Sequence, residues 1–407
     1  MGNRKIVVAS TEFSTGGLGS YLRTVAGGLG ARGWEVHLLV TDHPGDLFFG
    51  IEGVSARHDL SGTPLSVHKV RRAADLLERI APEFLLLNHA ALLHYALSLL
   101  DTRVRPVAVI HSDDRRYYRT AALFQHRVFA WVAPSRRLAE LFTPRLPTER
   151  RGRVCTIPHG VDMHARTPPE HRSLPGGNEV AARDGVRIIF VGFLGPSKGA
   201  DQLPAIMRRV WPTCPAASLT IVGDGPLRAA LTAEFAAGEI AGGWRFTGAV
   251  GRDEVARLLR ESDVLLLPTK LEGFGLVIPE AMLSGCVPVV SRLAGITDEI
   301  VDAGSTGFLV DPADSAGFAD IIIRLAQDTP RREACAAAGR AAAEIRFSTG
   351  RMLDAYESLF ARQDDRRRPR RSSLAGWAAE TAREVLGDGL DPRWLGRRVR
   401  EIVGHPR

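Results

Sequence analysis

The chain is poor in the residues that mark a stapled, metallated or membrane-spanning protein. Its four cysteines, Cys155, Cys214, Cys286 and Cys335, are spread over 407 residues without a C-x-x-C pair. That excludes a disulfide framework and a cysteine zinc site, and it suits a reducing cytoplasm. No apolar run approaches the roughly 18 residues that a membrane span needs. MGNRKIVVAS runs straight into a strand-like segment, so no secretory leader is expected. Lysine is scarce as well: Lys5, Lys69, Lys198 and Lys270 are the only ones. In so arginine-biased a chain, lysines at 198 and 270, both in glycine-flanked loops, stand out.

What is present points to a two-domain globular protein. A hydrophobic share of 45% and a charged share of 24% are ordinary for a soluble chain, and 407 residues exceed what one core supports. The net charge of +7 is uneven. From Arg362 to Arg407 there are twelve arginines, no lysine and seven acids. The body is therefore close to neutral and the tail is basic, and no nucleic-acid partner is expected.

Strand-like apolar runs alternate with helical spacing, which predicts parallel sheets covered by helices. The first series is KIVVAS (5–10), EVHLLVT (35–41), FLLLNHA (84–90), PVAVIHS (106–112), VFAWVAPS (128–135) and RVCTIPHGVD (153–162), with a helix at 18–32. Residues 163–186 lose periodicity. A second series follows: RIIFVGF (187–193), SLTIVGDG (218–225), WRFTGAV (244–250), DVLLLPT (263–269), VPVVSR (287–292) and GFLVDP (307–312). The expected units are an N-terminal Rossmann-like domain over 1–165, a linker over 166–186 and a second such domain over 187–345. A C-terminal helix over 346–362 is expected to pack back on the first domain, before an Arg-rich tail over 363–407. The tail reads as a solvated linker with a short helix. Trp377 and Trp394 among arginines leave a peripheral membrane contact open.

In doubly wound sheets ligands bind at the carboxyl ends of strands, so the loops after strands carry the candidates. The first turn, STEFSTGGLGSYL, places Gly16 and Gly17 before a helix, without the G-x-G-x-x-G spacing. The corresponding second turn, VGFLGPSKGADQL, holds Gly192 and Lys198, a cation suited to a diphosphate. It is not a Walker A loop, because Gly199 follows the lysine. PTKLEGFGLVIPEAMLSGCVPVV carries Glu272 in a strand-end loop and Glu280 inside the next helix. Carboxylates accept bidentately from vicinal hydroxyls, and the N–H groups of Phe274, Gly275 and Leu276 between them could face an anion.

This segment resembles the E-x7-E motif of retaining GT-B glycosyltransferases, most of all glycosyltransferase family 4. TGGLGSYL, IHS, APSRRLAELF, IPHGVD, FVGFLGPSKG, LTIVGDGP, FTGAV and TGFLVDPAD follow the family order along roughly residues 5–360. The resemblance implies two facing Rossmann-like domains with a cleft between them. It implies a donor diphosphate on Lys198, donor-sugar contacts from Glu272, Gly273, Phe274, Gly275 and Leu276, and a ribose on Glu280. It further implies His111 beside the reacting sugar and Gly16 and Gly17 near the donor phosphates. The implied reaction is sugar transfer from a UDP-linked donor to a hydroxyl, with retention and without metal or cofactor. The absence of any D-x-D triplet agrees with metal independence. Alternatives are a nucleotide-sugar epimerase and a non-catalytic sensor or scaffold. Asp113, Asp114, Arg115 and Arg116 are candidate acceptor contacts. Phe193 stands where the family usually has arginine, and Ala294 where it often has glycine; both bear on the donor.

Overall fold

The structure, a computed structural model, describes residues 4–62, 66–100, 103–161, 185–237, 243–363, 372–373 and 376–381. Two compact units divide the chain. The first comprises Met1–Pro158 with Met352–Arg407, and the second His159–Arg351. The expected linker lies, except for residues 185 and 186, outside the described residues. So does most of the basic tail, including Trp394.

The first unit is built on seven parallel strands: β1 (Lys5–Glu12), β2 (Glu35–His43), β3 (Ala56–Asp59), β4 (Phe84–Asn88), β5 (Arg105–Val109), β6 (Ala130–Ala133) and β7 (Val154–Thr156). Their order is β3-β2-β1-β4-β5-β6-β7. β1 and β4 are apolar throughout their centres because helices cover both faces. The helices Gly17–Ala31 and Thr349–Phe360 close one face, with Tyr21, Val25, Leu29, Leu353 and Tyr356 buried among β-strand residues. Helices Val67–Ile80 and Arg136–Phe142 close the other.

The C-terminal helix is clamped to the N-terminal one at several heights. Gly28 faces Leu353, Tyr21 and Tyr356 share a hydroxyl hydrogen bond of 2.7 Å, and Arg32 pairs with Asp354 and Glu357. Farther along, Trp377 is buried and its indole N–H donates to Tyr95 O at 2.8 Å. Trp377 is thus a core residue of the first unit, which removes it from the lipid-facing role the sequence suggested.

The second unit has six parallel strands: β8 (Arg187–Val191), β9 (Ser218–Val222), β10 (Gly243–Gly248), β11 (Val264–Leu267), β12 (Val287–Ser291) and β13 (Phe308–Val310), ordered β10-β9-β8-β11-β12-β13. Each sheet therefore reverses direction once, between β1 and β4 in the first and between β8 and β11 in the second. Those switch points are where such sheets open a crevice for ligands.

Two local features differ from the sequence reading. β3, sequence ARHD, has no apolar run; it forms because it pairs along β2 at the sheet edge, with alternating half-buried and exposed residues. The segment 153–162 is strand only over Val154–Thr156. Lys198 ends a single 3-10 turn, Pro196–Lys198, ahead of the helix that begins at Leu203.

Candidate active site

The switch point of the second sheet brings the loop after β8 onto the loop after β11. Lys270 and Leu271 donate their N–H groups to Ser197 O at 2.9 and 3.2 Å, and Thr269 Oγ1 adds a third donor at 3.1 Å. Gly199 adopts φ +69°, and a Cβ there would stand 1.8 Å from Pro268 O, so only glycine lets the loops meet. This contact fixes the base of Lys198, whose Nζ bonds Glu272 Oε1 at 2.6 Å. Glu272 is 6% exposed and Lys198 29%. Glu272 is thus buried against Lys198, whose part-exposed ammonium retains an open side for an anion.

Beyond Glu272 the chain turns at Gly275, φ +89°, into the helix Val277–Leu283. Among the described residues, the N–H groups of Phe274, Gly275 and Leu276 donate to no protein acceptor. Glu280 stands in the first turn of that helix, and its carboxylate has no hydrogen-bond partner among the described residues. It keeps some solvent contact, yet desolvation pushes its carboxyl up to about 7, against the pull of Arg252. A partnerless carboxylate and a run of unpaired N–H groups in one loop can hold a polyhydroxylated anion from both ends.

Phe193 is 55% exposed, with its ring against Gly195 in the same loop. Lys270, the other lysine of these loops, is tied to Asp201 at 2.8 Å. Gly192 has ordinary space around it and donates to Val222 O. His159 in IPHGVD is a residue that motif reading passed over. It is buried edge-on to Phe274, with ring centroids 5.4 Å apart, and desolvation pushes its pKa down to about 3. A neutral ring thus braces the loop of unpaired N–H groups.

At the first switch point, Gly16 follows β1 with φ +120° and open space where a Cβ would be. Gly17 begins the helix that carries Tyr21. His111, two residues past β5, is held from β4: Asn88 Nδ2 donates to Ala9 O at 3.0 Å, leaving Oδ1 to accept from His111 Nε2 at 2.8 Å. The Tyr21 ring packs at a tilt of 60° against the His111 ring, centroids 4.9 Å apart. Asn88 was not singled out from sequence; a polar residue ending the buried run FLLLN at the switch point is the signal that could have found it.

The acceptor candidates separate. Asp114 caps the helix Arg115–Ala122 by accepting from Arg116 N, and its carboxylate also binds the Arg116 side chain at 2.7 Å. Both are committed to local structure. Arg115 is exposed and Asp113 half-buried beside them.

Comparison with known proteins decides the family. Residues 15–165 match the family described as "Glycosyltransferase Family 4", and residues 178–342 match "Glycosyl transferases group 1". The chain belongs to the group 1, family 4 glycosyltransferases. Its sequence is 26% identical to a glycogen synthase of Mycobacterium tuberculosis over 89% of this chain and 96% of that one. It is 32% identical to a GDP-mannose-dependent monoacylated alpha-(1-6)-phosphatidylinositol monomannoside mannosyltransferase of Corynebacterium glutamicum, over 47% of this chain and 52% of the relative.

Among solved structures, Anabaena HepE in complex with UDP and glucose aligns with TM-score 0.72 at 19% identity, covering 88% of this chain and 99% of that one. A sucrose-phosphate synthase from Thermosynechococcus elongatus aligns with TM-score 0.68 at 20% identity, covering 88% and 99%. These likenesses establish the GT-B type of α/β architecture for this glycosyltransferase. The relatives are named as transferases and synthases, which favours neither the epimerase nor the sensor reading. Among the described residues, no helix is long and apolar enough to cross a membrane.

Proposed function

We propose that this glycosyltransferase moves a sugar, with retention, from a UDP-linked donor to a hydroxyl of a small-molecule, saccharide or lipid-linked acceptor. The observation that carries the reading is the Lys198–Glu272 pair at the second switch point, flanked by the unpaired N–H groups of Phe274, Gly275 and Leu276. Lys198 would take the diphosphate and stabilise the charge that develops on it as the glycosidic bond breaks. Glu272 and the N–H run would orient the sugar, and Glu280 would accept from the ribose hydroxyls. HepE, a structural relative, was crystallised with UDP and with UDP-glucose, which supports uridine as the base.

In this scheme the leaving phosphate assists deprotonation of the acceptor on the same face of the sugar, so neither metal nor cofactor is required. Glu272 is bound to Lys198 and is not assigned a nucleophile's role. His111, held by Asn88, would lie beside the reacting sugar. The protein would act in the cytoplasm; any membrane contact would fall to the tail beyond residue 381.

The test is nucleotide release from a panel of UDP- and GDP-sugars in EDTA, with the anomeric configuration of product read by NMR. UDP release with retained configuration is expected. Failure to bind any nucleotide sugar, or strict dependence on added metal, would overturn the proposal.

A further inference from the structure

The first sheet has its own switch point, and the loop that leaves β4 there contains a residue the donor chemistry does not use. His89 directly follows Asn88 and adopts φ +57°, a left-handed value uncommon among residues other than glycine, though histidine enters it more readily than most. Such conformations are held only where surrounding structure over-determines them, and they cluster at ligand sites. The over-determination is visible. The imidazole lies flat on Tyr117, with centroids 3.6 Å apart and planes 5° from parallel, and it meets His111 at 5.2 Å and 89°.

The ring so fixed has a polar atom with nothing to bond. His89 Nε2 is buried and has no hydrogen-bond partner among the described residues. Ser112 Oγ, the residue after His111, is buried and unpartnered in the same way. Both orphans lie just past the carboxyl ends of neighbouring strands, β4 and β5, each on the residue that follows a partner of the Asn88–His111 hydrogen bond. Ser10 Oγ, on β1 and in register with Asn88, is a third. Buried polar atoms are nearly always satisfied, so orphans on β1 and just past the ends of β4 and β5 call for an occupant.

The chemistry of that occupant follows from theirs. Desolvation pushes His89 down to about 4 against the opposing field of Asp114, so its ring is neutral. Serine hydroxyls are neutral too, and the Arg116 guanidinium beside the site is already bound to Asp114. Groups that both donate and accept, without charge, fit hydroxyls better than a phosphate or carboxylate.

We propose that His89 and Ser112 form the acceptor-recognition pair of the first unit, taking hydroxyls of a neutral polyol beside His111. This rests on the glycosyl-transfer reading and narrows its acceptor to an uncharged polyhydroxylated group at the reacting end. Tyr117 is the positioning residue that locks the His89 ring.

The experiment uses the full chain with ring-15N histidine. His89 signals are assigned by their loss in His89→Asn, which tolerates the left-handed backbone. Myo-inositol and methyl α-glucoside are the neutral probes; malate and glucose 6-phosphate are the charged ones. A neutral probe is expected to move the His89 Nε2 resonance saturably. Ser112→Ala is expected to weaken that response about threefold to tenfold, the worth of one neutral hydrogen bond, while UDP affinity stays unchanged. If His89→Asn fails to fold, Ser112→Ala with assignment by elimination carries the test.

The proposal falls if neither neutral probe moves the signal, if only the charged probes do, or if Ser112→Ala binds as wild type. UDP binding measured in parallel separates the two readings. Failure to bind UDP or any nucleotide sugar sinks the donor reading, whereas normal UDP binding with a silent His89 sinks only this one.

Discussion

Glu280 offers a direct physical test of the donor site. Its carboxyl sits at about 7 because burial disfavours the charge, and Arg252 only partly offsets that. If the ionised form accepts from ribose hydroxyls, donor binding must hold it deprotonated. At pH 8 the free site is already ionised. At pH 6, one unit below its pKa, about ten in eleven free molecules are protonated, so affinity for UDP-glucose falls about tenfold, or ~1.4 kcal/mol.

UDP-glucose suits the assay because its diphosphate is esterified at both ends and has no monoester proton near neutrality. Calorimetry at pH 6, 7 and 8, in two buffers of different ionisation enthalpy, counts the protons released. Glu280→Gln should flatten the profile and lower affinity at pH 8 by about 1.5–3 kcal/mol, the usual worth of a charged hydrogen bond.

Stability must move in the opposite sense. A carboxyl whose folded pKa is raised contributes stability in full below the usual glutamate range, and that contribution is lost as pH rises through about 7. Glu280→Gln should therefore stabilise the protein at pH 8, by on the order of 3 kcal/mol, and change little at pH 4. An affinity that ignores pH between 6 and 8, the same slope in the glutamine variant, or destabilisation at pH 8 would each refute the assignment.

Three further outcomes follow from contacts already described. Lys198→Met strands the buried Glu272 charge, so it should cost stability of about 3–5 kcal/mol along with turnover; adding Glu272→Gln should restore the Tm without restoring turnover. Phe193→Arg should tighten UDP binding, because Lys270 is held by Asp201 and the loop otherwise presents only Lys198; equal affinity by calorimetry would mean the aromatic side chain costs nothing there. Trp377→Ala should lower stability by about 3–5 kcal/mol through lost burial and the bond to Tyr95 O. A chemical denaturation midpoint that does not move would show residues 376–381 to be undocked in solution.

Much of the fold was legible because buried parallel strands announce themselves as unbroken apolar runs between glycine turns, as in RIIFVGF and DVLLLPT. β3 was not, since an edge strand bonded to one neighbour needs no apolar content, and ARHD has almost none. The family motif located Lys198, Glu272 and Glu280 in sequence, but it could not say that the first two bond each other while the third has no partner among the described residues. That difference depends on how two loops 72 residues apart dock through Ser197 and Thr269. His89 was illegible for another reason: its significance lies in a backbone angle and an unpaired nitrogen, neither of which has a sequence signature. The Tyr21–Tyr356 bond joins residues 335 positions apart, beyond any local pattern.

The glycine turns at the two switch points look alike in sequence but should fail differently. Gly199 is required by the protein itself, since a Cβ would strike Pro268 O at 1.8 Å. Gly16 has φ +120° but open space around the position of a Cβ, so no described residue of the first unit uses the room that glycine leaves. Alanine at 16 should therefore cost only backbone strain, about 1–3 kcal/mol. Alanine at 199 adds to that strain a backbone collision that can be relieved only by separating the loops that position Lys198. If the space at Gly16 serves a ligand, Gly16→Ala should lose sugar transfer out of proportion to its Tm, whereas Gly199→Ala should lose both together. Equal Tm losses, or normal transfer by Gly16→Ala, would show that the first turn is glycine-rich for the chain's sake alone.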